Sequence, residues 1–569
     1  MDCEKLAPLL RLAYEEYRQN DTQALKRRAR MFGIYQFDEE SPGKSLIGIS
    51  VECSRGVQLR DLGVKFGLNA GVVSDRFAVG VVPIKAIPDI ADCGAVKYVA
   101  SSPPLRSKMD AVGAAIGLDV LRRNRGDGTE KLDGDGIIIG VVDSGIDPRH
   151  PDFYDRIDRI WDQTISGPGV PGASYGTELT GHHVQRSVDA DGHGTHVAGI
   201  AAGHSGVAPA SRLVIVKLAA PKVGNGVIDA VNYIFGYADQ MKLPAVVNIS
   251  LGTHYGPHDG TGHFSQILNG LVGDGRIICC AAGNEGKYDI HARLAVADGQ
   301  VVTVPLNTVE GDTSVGGWYS DKDSIGVSVV SPSGDKTAIE DGRNSVGRYT
   351  FRDGVVEIAR GNGPGRDRNF EVLLRNAASS GDWRINLHAQ NIRNGRVDLW
   401  VQDDRGSVFS GPYADSRMTV CHPADTDRVV AVAAYTSKVR WRSAVGPRSV
   451  PQSRLDDIWE RSSLGPRRDG GHKPDVAAPG VAVVSARSGN APVPDNRVID
   501  SEYCVWWGTS MATPVVTGTV ALLLQMNKGL APEQAVSKLG SLSSIPGRAS
   551  GNGTWDPQWG HGLVNISTI

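Results

Sequence analysis

From Gly136 the chain repeats one unit: a continuous apolar run, a tight turn, then a helical stretch. The runs Ile137–Val142, Leu213–Leu218, Ala245–Ile249 and Arg276–Ala282 lack polar alternation, so they read as parallel strands buried on both faces. His193–Ala202, Val227–Met241 and Phe264–Val272 read as the helices between them. Strands alternating with helices predict an α/β fold, a doubly wound and mainly parallel sheet. Its ligand site then lies at the carboxyl ends of the strands.

The repeat stops after Gly286. Over 287–419 the apolar residues alternate with period two, as in Phe370/Val372/Leu374, Trp383/Ile385/Leu387 and Val397/Leu399/Val401, with turns rich in Gly, Asp and Asn. This predicts a β-sandwich inserted into the α/β domain, which resumes at Val429–Ala434. The α/β domain is therefore split into 136–286 and 420–569. Residues 44–103 read strand, helix, strand, strand, helix, strand: Ile47/Ile49/Val51, Val57 to Phe66, Val72–Ser74, Phe77–Val82, Ile84 to Ala91 with an interruption at Pro88, and Val96 to Val99. That order predicts a small ferredoxin-like domain over 41–103. Residues 1–40 read as a helical extension with Leu6, Leu9, Leu10 and Tyr14 on one face. Residues 104–135 read as a polar linker with one short helix, Val112 to Leu121.

A chain of 569 residues suits roughly two to four domains. Net charge is −3 with both signs interspersed, which argues against nucleic acid or an anionic membrane as partner. The seven cysteines form no framework, and adjacent Cys279 and Cys280 point to opposite faces of a strand, so they read as buried free thiols of a reducing compartment. The N-terminus shows no basic segment followed by an apolar one, and no run of about 18 apolar residues predicts a membrane span. The expected location is cytoplasmic, the alternative being spore-associated or exported by another route.

Three motifs carry chemistry. Val141-Val142-Asp143-Ser144-Gly145-Ile146-Asp147 puts a carboxylate just after an apolar strand. Asp191-Gly192-His193-Gly194-Thr195-His196-Val197-Ala198-Gly199 opens a helix with a histidine, Gly192 and Gly194 allowing the tight turn. Gly508-Thr509-Ser510-Met511-Ala512-Thr513-Pro514 places a serine at a helix N-terminus, where free N–H groups and the dipole face the reacting centre. Ser510 would need His193 as base, and Asp143 would hold the His193 tautomer. His196 has no carboxylate beside it in a metal-binding pattern and reads as structural; His150, His182, His183 and His204 read as loop or surface residues. Trp506 and Trp507 read as core packing.

The three motifs, in the order Asp, His, Ser, resemble those of the subtilisin-like serine proteases, and the layout is similar to the clostridial spore-germination subtilases, which carry a jelly-roll insertion at about this place. The resemblance implies that Asn284, in Ala281-Ala282-Gly283-Asn284-Glu285-Gly286, completes an oxyanion hole with the Ser510 N–H. It implies that Ser250, Leu251, Gly252 and Thr253 pair with an extended substrate, and that Ala281, Ala282 and Gly283 wall the first specificity pocket. Glu285 either favours a basic residue at the rim or is a solvated acid. Residues 41–103 are similar to the family's propeptide, an inhibitor and folding chaperone, with self-cleavage implied between Pro103 and Asp110. Asp152 matches a family calcium ligand, but the segment 201–209 lacks the Asn-rich excursion of the usual high-affinity loop, so no cofactor is expected to be required and calcium stays an open alternative. After Pro514, Val515-Val516-Thr517-Gly518 replaces the usual His-Val-Ala-Gly.

The implied function is a serine endopeptidase made as a self-inhibited precursor. Its partners would be a peptide or protein substrate and its own propeptide. Two alternatives stand beside it: a signalling protease kept latent until a partner releases it, and a non-catalytic scaffold.

Overall fold

The structure is a computed structural model that describes residues 2, 5–20, 22–23, 25–26, 34–38, 40–54, 71–72, 77–101, 110–124, 131–219, 224–342, 344–363, 367–377, 381–402, 406–450, 453–548 and 554–569. The chain divides into two units, Met1–Ser107 and Lys108–Ile569.

In the second unit a ten-stranded sheet runs in the order 543–544, 563–564, 476–479, 430–435, 276–281, 245–249, 138–143, 212–217, 157–162, 177–180. From Leu563–Val564 to Ile157–Asp162 every neighbour is parallel; only the two outermost pairs are antiparallel. The strand interiors are buried on both faces, as their unbroken apolar runs require. Helices His193–Ala202 and Thr509–Met526 pack on one face with Val141, Val246 and Cys279. Helices Gly224–Met241 and His263–Leu271 cover the other with Val142, Val247 and Cys280. The helix Thr509–Met526 is long and apolar enough to cross a membrane by length and composition, yet Thr509 and Met511–Leu524 are buried in this core.

The segment expected as a polar linker behaves otherwise. It forms two helices, Asp110–Ala115 and Leu118–Asn124, broken at Gly117 (φ +73°). Val112, Ile116, Leu118, Leu121 and Leu132 join the core beneath the sheet. The charged residues around these short helices hid this apolar stripe.

The inserted segment forms ten antiparallel strands between His291 and Phe409 in two sheets. Taken in chain order, the first, ninth, third, seventh, sixth and fifth strands make one sheet, and the fourth, eighth, second and tenth the other. This interleaving of both ends of the segment is how nested Greek keys wrap. All three alternating triplets named above point into the core between the sheets. The opposite face of the larger sheet is also used: Trp400 and Trp318 pack with Met418, which belongs to the chain's return into the α/β domain.

In the first unit the strands expected as first to fourth pair antiparallel in the order fourth, first, third, second (96–101, 46–53, 77–83, 71–72). The expected helix Val57 to Phe66 and the expected cleavage stretch at 102–109 lie outside the described residues. Pro88 does not interrupt a helix. It sits in the first turn of Ile87–Ala91, where a missing N–H costs nothing, after a 3-10 turn at Ile84–Ala86. Helix Pro8–Arg18 packs Leu10 and Ala13 against Ile47 and Ile49, and within the stretch expected to be helical Ile34–Gln36 is instead a strand beside Leu46 and Ile47.

His196, inside the His193 helix, is wholly buried. Burial, with the neighbouring His193 ring, pushes its imidazole down to about 3. The unfolded chain takes up this proton near pH 6.5, roughly the ordinary value. Stability is therefore complete above about pH 6.5 and falls on acidification toward 3, by up to about 1.4 kcal/mol per pH unit. Denaturant unfolding at about pH 7.5 and 5 should show this loss, and a His196→Phe variant should show a shallower one.

Candidate active site

Asp143 ends its strand at the carboxyl edge of the sheet and is fully buried. The Ser144 N–H donates to its Oδ1 at 2.7 Å, and His193 Nδ1 lies 2.8 and 2.9 Å from its two oxygens. His193 opens its helix after Gly192, whose φ of +87° makes the turn. Gly194 serves differently from the expected turn: a Cβ there would lie 2.1 Å from the Gly145 carbonyl and 3.2 Å from Asp143 Cβ. The absence of a side chain at Gly194 lets the helix approach the acid.

Asp189, which the motifs did not single out, ties these two loops together. Its buried carboxylate accepts from Gly192 N–H (2.9 Å), Thr195 N–H (2.9 Å), the Thr195 hydroxyl (2.6 Å) and the Ser144 hydroxyl (2.9 Å). Ser144 Oγ in turn accepts from Gly194 N–H. Asp189 precedes the histidine motif by two residues; an acid there is the usual signal of a loop cap.

Ser510 lies in the first turn of helix Thr509–Met526, after Gly508 at φ +144°. Pro514 has no N–H to close on the Ser510 carbonyl, and the Ser250 hydroxyl donates to that oxygen instead at 2.9 Å. The Ser510 hydroxyl donates back to the Ser250 carbonyl at 3.2 Å. Behind them Asn248 Nδ2 donates to Ser250 Oγ (3.0 Å) and the Thr517 hydroxyl to Asn248 Oδ1 (2.9 Å). Asn284 is fixed through its oxygen, which accepts from the Thr509 N–H and hydroxyl, both at 3.0 Å. Its Nδ2 is thereby left to donate elsewhere. A Cβ built on Gly508 would stand 3.7 Å from Asn284 Nδ2 and 3.7 Å from Ser510 N, so both donors border one small space. Trp506 lays its ring 5.4 Å from that of His193, joining the serine segment to the Asp–His pair.

The expected substrate edge and pocket wall are bridged by a strip the sequence did not mark. Thr253 and His422 exchange backbone hydrogen bonds, each 2.9 Å, and Cys421 N–H donates to the Ala282 carbonyl at 2.9 Å. Thr253 is thus already paired through its backbone, and Ser250 is turned toward Ser510. Leu251 leans on the sheet core. A Cβ on Gly252 would strike Cys421 Sγ at 2.3 Å, and one on Gly283 the Ser463 hydroxyl at 2.6 Å. Ala281 and Ala282 are buried. Burial pushes the Cys421 thiol well above its ordinary value, so it stays neutral. Glu285 is not a freely solvated acid. It pairs with His254 at 3.3 Å and accepts from Asn284 N–H and the Ser463 hydroxyl; burial opposes its charge, but these partners hold it below the usual carboxylate range.

From His254 a stack of rings runs into the inserted sandwich. His254 stacks on His258 (5.3 Å), His258 on Trp400 (4.3 Å) and Trp400 on His291 (4.7 Å). Burial and its neighbours His254 and His422 push His258 well below its ordinary value. His422 goes the other way, raised against its burial by Asp425 at 2.8 Å. Asp398, despite burial, is held at about 2 by His291, Arg396 and Arg293.

His150, expected at the surface, is buried between Phe153 and Tyr503, with Nε2 2.8 Å from the Glu502 carbonyl. His182, His183 and His204 are exposed. Asp152 Oδ1 accepts from the Tyr503 hydroxyl at 2.9 Å. Among the described residues no group of three His, Cys, Asp or Glu is placed to hold a metal ion. Trp506, expected in the core, is only partly buried. Ser250→Ala should cost about 1–3 kcal/mol, because it orphans the Ser510 carbonyl; denaturant unfolding measures it.

The subtilase family model matches residues 134–346 and 324–562, its two stretches meeting within the insert. The major intracellular serine protease of Bacillus subtilis is 33% identical over 162 residues, 27% of this chain and 45% of that protein. The serine protease AprX of Bacillus subtilis is 33% identical over 165 residues, 28% of this chain and 33% of that protein. The chain thus spans less than half the length of these relatives. Among solved structures, the Clostridium perfringens CspB protease matches at a TM-score of 0.65 and 23% identity, covering 80% of this chain and 97% of that one. With the family model matching both halves of the α/β domain, the chain belongs to the subtilase family.

Proposed function

We propose that this chain is a serine endopeptidase. The observation that carries the reading is Asp143 on His193 Nδ1, together with a turn at Gly508 that Ser510 N and Asn284 Nδ2 both border. His193 takes the Ser510 proton as Oγ attacks the peptide carbonyl. Asn284 Nδ2 and the Ser510 N–H stabilise the oxyanion. The tetrahedral species collapses as His193 gives its proton to the leaving amine, and water then frees the acyl group by the same steps. Asp143 fixes the imidazole tautomer throughout.

Residues 41–103 act as inhibitor and folding template, and the precursor cuts itself between Pro103 and Asp110. The antiparallel order of the small sheet supports this reading. The six described cysteines are free, which suits a reducing compartment. With Glu285 already paired to His254 and the Cys421 thiol neutral, the first pocket takes an uncharged residue.

A fluorophosphonate should label wild type and not Ser510→Ala. Asn284→Ala should lower kcat about a hundred- to a thousandfold, the loss that subtilisin itself shows on removal of this donor. Intact mass should show wild type cut near 103–110 and Ser510→Ala whole, and the residue before the cut reads the pocket. A folded wild type that takes no label sinks the proposal. Chelation with EDTA should leave activity unchanged, and a loss restored by calcium would refute the metal-independent reading.

A further inference from the structure

The hairpin Arg440–Ser443/Gly446–Ser449 has no use in the mechanism above, yet it stands next to the catalytic serine segment. Its strands pair Trp441 with Arg448 and Arg442 with Pro447. Arg440, Arg442 and Arg448 are exposed, and residues 436–450 contain no Asp or Glu. Among the described residues none of these three arginines has a recorded ion pair; Arg448 reaches only the Val445 carbonyl at 3.4 Å. Arg448 stands opposite Trp441, while Arg440 and Arg442 alternate with it and lie on the other face of the hairpin; exposed, unpaired guanidinium groups are suited to bind carboxylates.

The hairpin is held in place by the chain that leads to Ser510. Ala444 N–H donates to the Val498 carbonyl (2.7 Å) and Trp441 Nε1 to the Asn496 carbonyl (3.0 Å). Arg497 lies over the Trp507 ring at 4.3 Å, and the Trp441 ring is 6.0 Å from that of Trp507. Trp506, next in sequence, faces His193 at 5.4 Å. The hairpin therefore rests on the same segment, 496–507, whose Trp506 faces the imidazole. Direction follows from chemistry. His193 must hand its proton to the leaving amine, so the substrate beyond the cut bond passes His193 and then Trp506.

We propose that the hairpin selects substrates with acidic residues on the leaving-group side, about two to five positions past the cut, given roughly 3.3 Å per extended residue. Arg440, Arg442 and Arg448 bind the carboxylates, and Trp441 anchors the hairpin to the segment that leads to Ser510. This rests on the peptidase reading above and deepens it.

The test uses quenched fluorogenic peptides identical up to the cut and followed by acidic, neutral or basic residues. Wild type should cleave the acidic peptide with kcat/KM about five- to tenfold above the neutral one, an advantage that shrinks with salt. Combined Arg440→Ser, Arg442→Ser and Arg448→Ser should erase the advantage, leaving neutral-peptide cleavage and fluorophosphonate labelling unchanged. Equal rates on acidic and neutral peptides overturn the proposal. Anisotropy of the same peptides on the Ser510→Ala chain separates the two readings. Acidic preference in binding, with no cleavage by wild type, upholds the hairpin site and sinks the peptidase. Equal binding sinks the hairpin site. A single-stranded oligonucleotide that outcompetes the acidic peptide overturns it in favour of nucleic acid.

Discussion

Everything at the cleft depends on how the Ser510 helix is seated on the sheet. Pro514 strips that helix of one internal hydrogen bond at the residue that matters. The vacancy is filled from the sheet by Ser250, itself held by Asn248 and Thr517. A buried carbonyl left unpaired would cost about 1–3 kcal/mol, so this clasp does more than decorate the turn. It fixes the height of Ser510 above the strands. Asn284 is set by the same turn, through Thr509. Ser510 and Asn284 are thus positioned by one polar seam running outward from the core.

The Asp–His half is organised independently, around Asp189, and meets the serine half at Trp506. Two small networks, each rigid in itself, face each other across the carboxyl edge of a parallel sheet. This is where an open α/β sheet leaves its strand ends free to carry loops.

The strands and helices of the α/β domain were legible because each is a long unbroken pattern, and strand alternation in the insert pointed every named triplet into its core. Asp143, His193, Ser510 and Asn284 stood out as candidates because they sit inside extended motifs. Asp189, Cys421, His422 and His254 were not. They act through pairings between residues far apart in the chain, and nothing in their local sequence announces a partner. Trp400 escaped for a related reason. Period-two alternation identifies one apolar face, and the face that meets another domain mixes tryptophan, histidine and charge. The extent of 104–135 was misjudged because its two short helices carry few apolar residues each and read as polar when averaged with the charged residues around them.

The insert departs from the sheet just after Asn284 and Glu285 and returns just before Cys421. Both of its attachment points are therefore pieces of the cleft. A domain grafted onto a remote loop would be a passenger; this one borders Asn284 and Glu285 on one side and Cys421 and His422 on the other. A change in the sandwich therefore meets these residues first, whereas Asp143, His193 and Ser510 lie on other segments of the chain.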